Sequence, residues 1–231
     1  MTFEIDVVTL FPAFFESPLQ ESILKRAQKE GLVKIRIHNL RDYTHDRHKT
    51  ADDKPFGGGA GMLMKPEPIF ECVETLSPKA WKILLDPHGR PLTQKVAEEL
   101  AKKKHLVLIA GHYEGVDHRV REHLMDDEIS VGDFITMGGE APAFCVMEAV
   151  IRLLPGVLGN EDSIKHESFQ HGHLEYPQYT RPRDFRGWKV PDILVSGHHR
   201  EVEKWRKEMA GEMTRQARPD LIKRKPRRKM K

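Results

Sequence analysis

Three stretches of the chain share one pattern: LLDPHGR (84–90), IAGHYEGVD (109–117) and SVGDFITMGGE (130–140) each run from apolar residues into glycine followed by polar or acidic residues. Glycine lets a ligand approach the backbone closely, so three such loops together form a cleft that reads its ligand through N–H and C=O groups. In open parallel sheets, ligands sit at the carboxyl ends of strands. Any one loop alone is no more than a turn; the three together suggest a nucleoside-shaped cleft. The absences narrow the ligand. GGGAGM at 57–62 has no G-x-G-x-x-G register behind a strand, and no G-x-x-x-x-G-K-[ST] loop occurs, so a dinucleotide or ATP held by its phosphates is disfavoured. HESFQ (166–170) begins like a zinc-protease motif but has glutamine where the second histidine must be, and there is no G-x-S-x-G elbow. What remains is a ligand with adenosine and no phosphate chain.

Those loops need a frame. FEIDVVTL (3–10), VKIRIHNL (33–40), KILLD (82–86), HLVLIA (105–110) and EISVGDFIT (128–136) read as strands, with a polar loop between the second and third. Ser17-Pro18 reads as the opening of a helix that closes at Gly31, and helical patterns recur near 92–103, 116–125 and 141–154. Strands alternating with helices predict the α/β class, with a parallel sheet covered on its faces. From Pro155 to about Gln178 the pattern lapses into glycine, histidine and acidic residues. HHREVEKWRKEMAGEMTRQ (198–216) then reads as a helix with Val202, Trp205 and Met209 on one face. The domain reading is an α/β domain over 1–160, an interdomain loop over 161–180 and a small helical basic domain over 181–231, ending in the charge run KRKPRRKMK.

The 231 residues, 39% hydrophobic and 32% charged, suit a globular protein with a real core. No apolar run is long enough for a membrane span, and MTFEIDVVTLF lacks the basic start and cleavage site of a signal peptide, so the cytoplasm is the expected address. Cys72 and Cys145 form no C-x-x-C and are expected to be buried thiols. The net charge of +3 conceals an asymmetry, since residues 1–180 carry 21 Lys and Arg against 28 Asp and Glu, and residues 181–231 carry 17 against 7. A basic C-terminal piece on a mildly acidic body points to a polyanionic partner.

Longer stretches carry a family resemblance. HNLRDYTHDRHKTADDKPFGGGAGMLMKP (38–66), GHYEGVD (111–117), SVGDFITMGGEAPA (130–143), IRLLPGVLGN (151–160), YPQYTRP (176–182) and SGHHREVEKWR (196–206), in this order, are similar to the bacterial tRNA (guanine-N1)-methyltransferases, a knotted (SPOUT-type) family. The resemblance implies an α/β methyltransferase domain with a deep trefoil knot, a homodimer, and S-adenosylmethionine bound bent in the knot. It implies methyl transfer to the guanine on the 3′ side of the anticodon in tRNA. By resemblance, Leu85, Pro87, Gly111, Tyr113, Glu114, Gly115, Val131, Gly132, Phe134, Thr136, Gly138, Gly139 and Pro142 match the cofactor-contacting positions. The double glycine is then expected to be bare so that the folded cofactor can lie against it.

The reaction itself needs particular groups. Guanine N1 carries a weakly acidic proton, so methyl transfer to it needs a base, and a carboxylate within hydrogen-bond reach suits. As the proton leaves, charge grows on O6, which an arginine stabilises with paired donors. By resemblance the two residues are Glu167 and Arg152. The chain departs from the family pattern here, carrying Glu-Ser-Phe where Asp-Ser-Phe is common, and Glu161 and Asp162 stay open as alternative bases. Without the resemblance, Arg152 would read as a structural ion-pair partner. N1 lies on the Watson–Crick edge, so the target base must be unpaired, as in an anticodon loop. Arg181, Arg183, His198, Lys204 and Arg206 are the candidate RNA-binding residues. No dedicated metal-ligand set is read from the sequence, and a divalent ion such as Mg2+ is left open. The rival readings are a knotted RNA ribose 2′-O-methyltransferase and a non-catalytic RNA-binding protein.

Overall fold

A computed structural model describes residues 2–159, 167–170 and 172–223. The chain divides into two compact units, Met1–Gly159 and Asn160–Lys231. The first is built on five strands, β1 (Phe3–Thr9), β2 (Val33–Asn39), β5 (Trp81–Pro91), β6 (His105–Ala110) and β7 (Asp127–Ser130). They form a sheet of order β2-β1-β6-β5-β7 in which every neighbouring pair is parallel. A parallel sheet is covered on both faces and calls for near-continuous apolar strands. Leu106 to Ala110 are accordingly buried without interruption. One face packs helices α1 (Ser22–Lys29), α3 (Gln94–Ala101) and α5 (Glu140–Ile151) over Ile5, Val7, Ile83, Leu85, Leu106 and Leu108. The other packs α2 (Pro66–Glu74) and α4 (His118–Leu124) over Val8, Leu84, Val107 and Ile109.

The structure alters four sequence expectations. EISVGDFIT is a strand only to Ser130; beyond it the chain is a loop in which Phe134, Ile135 and Met137 are exposed. Gly132 lies at φ +153 with the Phe134 ring folded over it, which ends the ladder. Ser17-Pro18 opens only a short 3-10 turn, Pro18–Gln20, because Glu21 is extended (φ −116, ψ 151), and the α-helix begins at Ser22. The loop read between the second and third strands contains α2, with Pro66 in its first turn and Pro68, Ile69, Cys72 and Val73 buried, as well as the short pair β3 (Asp52–Asp53) and β4 (Leu63–Met64). Cys72 is buried, but Cys145 is exposed on the outer side of α5 beside Glu148 and Ala141.

A buried charge cluster ties β1 to its neighbours. Asp6 has no solvent exposure and accepts hydrogen bonds from Arg36 Nε at 2.7 Å and from His38 Nε2 at 2.6 Å, with His105 Nε2 at 2.5 Å. Burial opposes its ionisation, but the bonds from Arg36, His38 and His105 outweigh it and hold the carboxyl far below the usual range. A carboxyl depressed on folding contributes stability above its unfolded pKa, about 4, and loses it as pH falls. Asp6→Asn is therefore expected to cost about 1–3 kcal/mol near neutrality, because Arg36 loses its buried partner and keeps only the partly exposed Glu4. Urea unfolding should show this gap between wild type and variant shrinking as pH is lowered below about 4; a constant gap would contradict the account.

In the second unit, Leu174 and Tyr176 meet the long helix His199–Ala217 at Thr214 and Arg206. Thr214, the one buried residue among those described there, accepts from Leu174 N–H at 2.9 Å and donates to Ala210 C=O at 2.6 Å. Arg206 stacks over Tyr176 at 4.9 Å from the ring centroid. Val202, Trp205 and Met209 are half-buried on this helix.

Candidate active site

The carboxyl ends of β5, β6 and β7 open into a cleft of about 250 Å³. Its walls are the three glycine loops. Leu85 and Pro87 come from the first loop, Gly111, Tyr113, Glu114 and Gly115 from the second, and Val131, Gly132, Phe134, Thr136, Gly138 and Gly139 from the third, with Pro142 from the first turn of α5. Each loop is shaped by local chemistry. After Leu85 the β5–β7 register shifts, so that Arg90 again pairs with Ile129 and the intervening turn bulges out of the ladder. Gly89 permits this, since a Cβ there would lie 2.3 Å from the Ile129 backbone nitrogen. In the second loop Tyr113 adopts φ +58, a left-handed conformation that costs a non-glycine residue free energy and is common at ligand sites. The third loop is pinned by Thr136 Oγ1 donating to Gly138 C=O at 2.8 Å.

Both residues of the double glycine line the cleft, and protein packing by itself already leaves no space for a side chain at either. Gly139 N–H donates to Gly111 C=O at 2.6 Å, and a Cβ at Gly139 would lie 2.7 Å from Ala110 Cα and from Gly111 N. A Cβ at Gly138 would fall 2.3 Å from His112 Nδ1 and 2.4 Å from Glu140 Oε2. Backbone packs on backbone at Gly139, and the loops are held together by that approach. Gly111 is the position with room: a Cβ there would meet only Val116 Cγ1 at 3.8 Å and Leu85 C=O at 3.9 Å.

Beneath the loops lies a polar anchor that sequence reasoning missed. Glu140, buried in the first turn of α5, accepts from Thr9 Oγ1 at 2.7 Å, and its other oxygen lies 3.5 Å from His112 Nδ1. The helix N-terminus favours the carboxylate there. This group joins the ends of β1 and β6 to the start of α5. Its only sequence signal is an acidic residue directly after Gly-Gly, ahead of an apolar helix. The GGGAGM segment, set aside as a nucleotide motif, packs on the cleft residue Glu114: Glu114 N–H donates to Met62 C=O at 3.0 Å, and a Cβ at Gly61 would strike the Glu114 carboxylate at 2.4 Å.

The cleft's charge selects its ligand class. Its lining includes Asp86 and Glu114 and, among the described residues, no lysine or arginine. Burial works against Asp86 ionising, but the His88 N–H and ring and the Arg121 guanidinium, 2.9 Å away, hold its carboxyl below the usual range. Such a lining offers a phosphate chain no lysine or arginine among the described residues.

A profile of the family described as tRNA (Guanine-1)-methyltransferase TrmD matches residues 3–224. The chain belongs to the tRNA (guanine-1)-methyltransferase family. Among its relatives, the tRNA (guanine-N(1)-)-methyltransferase of Dictyoglomus turgidum is 56% identical over 219 residues, covering 94% of this chain and 89% of the relative. The proteins of the same name from Geobacillus kaustophilus and Halalkalibacterium halodurans are 57% and 52% identical, over 94% and 95% of this chain and 91% of each relative.

Within this member of the tRNA (guanine-1)-methyltransferase family, the remaining sequence-read residues fall as follows. Arg152 caps the C-terminus of α5 and is half-buried in the first unit. Glu167 is half-buried in the second, where it lines a cavity of about 400 Å³ with Tyr176, Glu203 and Arg206. Glu161 and Asp162 lie outside the described residues, as does the tail after Lys223. Arg181 and Lys204 are exposed, Arg183 is exposed and paired with Asp192 at 2.7 Å, and His198 is exposed ahead of the long helix. Arg206 is half-buried over Tyr176 and paired with Glu203 at 2.8 Å, which gives it a packing role. Among the described residues no three His, Cys, Asp or Glu side chains converge as a metal ion requires, and no helix is long and apolar enough to cross a membrane.

Proposed function

We propose that the chain transfers a methyl group from S-adenosylmethionine to N1 of the guanine 3′-adjacent to the anticodon in tRNA. The observation that carries this is the strand-end cleft, bare of phosphate-binding cations, in a chain that matches the family over residues 3–224. The cofactor fits the lining: backbone of Leu85, Gly111 and Gly115 faces the adenosine, and Asp86 and Glu114 offer negative charge to the cationic part. S-adenosylmethionine supplies an electrophilic methyl on a sulfonium. In this reading Glu167 accepts the N1 proton, and Arg152 places two donors on O6 as charge develops there. The thirteen cleft residues named from the sequence hold the cofactor, and exposed Arg181, His198 and Lys204 meet RNA phosphates.

The finer architecture belongs to the same reading. A deep trefoil knot comes with the family that the chain matches over residues 3–224. For a homodimer, Phe56, Ile135 and Met137, 101%, 81% and 94% exposed in the single chain, are apolar side chains that a second copy would cover. The domain reading, 1–160 catalytic, 161–180 connecting and 181–231 RNA-binding, and a cytoplasmic location alongside tRNA complete it.

The test is methyl transfer from labelled cofactor to unmodified tRNA, followed by digestion to nucleosides. The expected product is 1-methylguanosine; a ribose 2′-O-methyl product would overturn the chemistry, and no turnover would leave a non-catalytic RNA-binding protein. Running the assay with magnesium or with chelator tests the divalent ion.

A further inference from the structure

A small hairpin in the second unit holds two aromatic rings out into solvent. Strands β8 (Asp184–Phe185) and β9 (Trp188–Lys189) pair antiparallel, with Phe185 opposite Trp188. The connecting residues Arg186 and Gly187 lie at φ +58 and +85, the left-handed pair of a two-residue hairpin turn. Asp184 Oδ1 accepts from Gly187 N–H at 2.9 Å, and Val190 N–H donates to Arg183 C=O at 2.9 Å, so both ends of the hairpin are closed. Phe185 and Trp188 nevertheless stay 52% and 71% exposed, with ring centroids 6.1 Å apart. The Arg186 guanidinium stands 5.2 Å from the Phe185 centroid.

An isolated two-stranded hairpin gains little by itself, and exposed rings on a closed turn do not add to a core. Charge selects their occupant. Residues 181–192 carry four Lys and Arg against two Asp. Both carboxylates are engaged, Asp184 by the turn N–H and Asp192 by Arg183. The surface left is aromatic faces with Arg186 beside Phe185, and Lys189 adds a cation on the other face of the same short hairpin. A polyanion bearing flat apolar faces complements it, and unpaired nucleotides have that chemistry: bases stack on aromatic rings while phosphates meet the cations.

We propose that the Phe185–Trp188 hairpin is a stacking platform for unpaired bases of the RNA substrate. This rests on the tRNA reading and adds to it a surface absent from the five RNA residues named from sequence.

The experiment measures binding of the full chain to a labelled anticodon stem-loop RNA and to the stem duplex without its loop, across a salt series. Trp188→Ala should weaken stem-loop binding roughly 5- to 150-fold, the usual loss for one stacked base. The log–log salt slope should stay at the wild-type value, because no phosphate contact is lost. Lys189→Ala should lower that slope by about 0.7. Trp188→Phe should restore most of the affinity, and duplex and cofactor binding should not change. Unaltered stem-loop affinity in Trp188→Ala, or an equal loss on the duplex, overturns the platform. So does a change in molecular mass by light scattering, which would make the hairpin a self-association surface. A wild-type chain that binds no RNA overturns the tRNA reading beneath it as well.

Discussion

Glu167→Gln is expected to slow the chemical step by roughly two to four orders of magnitude, the usual contribution of a positioned general base. Glutamine keeps the size and hydrogen bonding of the side chain and removes only its basicity. Cofactor and tRNA affinities should therefore change little, since the loss falls on the transition state. The measurement is single-turnover methyl transfer with enzyme in excess across a pH series, so that product release does not mask chemistry. Glu167→Asp, which restores the residue commoner in the family, should keep substantial activity. Arg152→Lys should also be severe, because an ammonium cannot reproduce a planar pair of donors. Should Glu167→Gln react at the wild-type rate, the base lies elsewhere, and Glu161 and Asp162 are the next to replace.

Gly111→Val is expected to abolish cofactor binding in a chain that still folds. A Cβ at Gly111 meets protein only at 3.8 and 3.9 Å, so the first carbon fits and the added methyls take up cleft volume. Gly139→Ala should do the reverse. Its Cβ would sit 2.7 Å from backbone atoms of Ala110 and Gly111 that cannot swing aside, and overpacking of this kind costs about 1–3 kcal/mol. Thermal unfolding should fall by about 2–4 °C for each kcal/mol in a chain of this size. Calorimetry with S-adenosylmethionine and a melting curve on both variants separate the two glycines. A stable Gly139→Ala variant with cofactor binding selectively lost would mean that the ligand's space, and not backbone packing, keeps the position bare.

Much of the site was readable from local patterns. Strand and glycine-loop positions follow from residue type and period, since apolar runs must be buried in a covered parallel sheet and glycines mark where it is left. The thirteen residues that the resemblance singled out lie on those loops or, for Pro142, in the first turn of α5. The same patterns failed where identical residues serve opposite environments. Ile135 and Met137 look like strand core in the sequence and are exposed, because Gly132 and the folded Phe134 stop the ladder before them. Helix α2 carries buried Ile69, Cys72 and Val73 at a helical spacing, but two prolines and a polar approach hid it in what read as a loop.

The remaining features depend on what stands beside a residue in space. Thr9 and Glu140 are 131 positions apart, and their hydrogen bond exists because β1 and β6 are neighbours in the sheet and α5 returns to their ends. Gly139 could be recognised as glycine that matters; that it faces the Ala110 and Gly111 backbone follows from the approach of two segments distant in sequence. Local sequence sets which conformations a residue tolerates, whereas the neighbour that uses that tolerance is chosen by long-range packing.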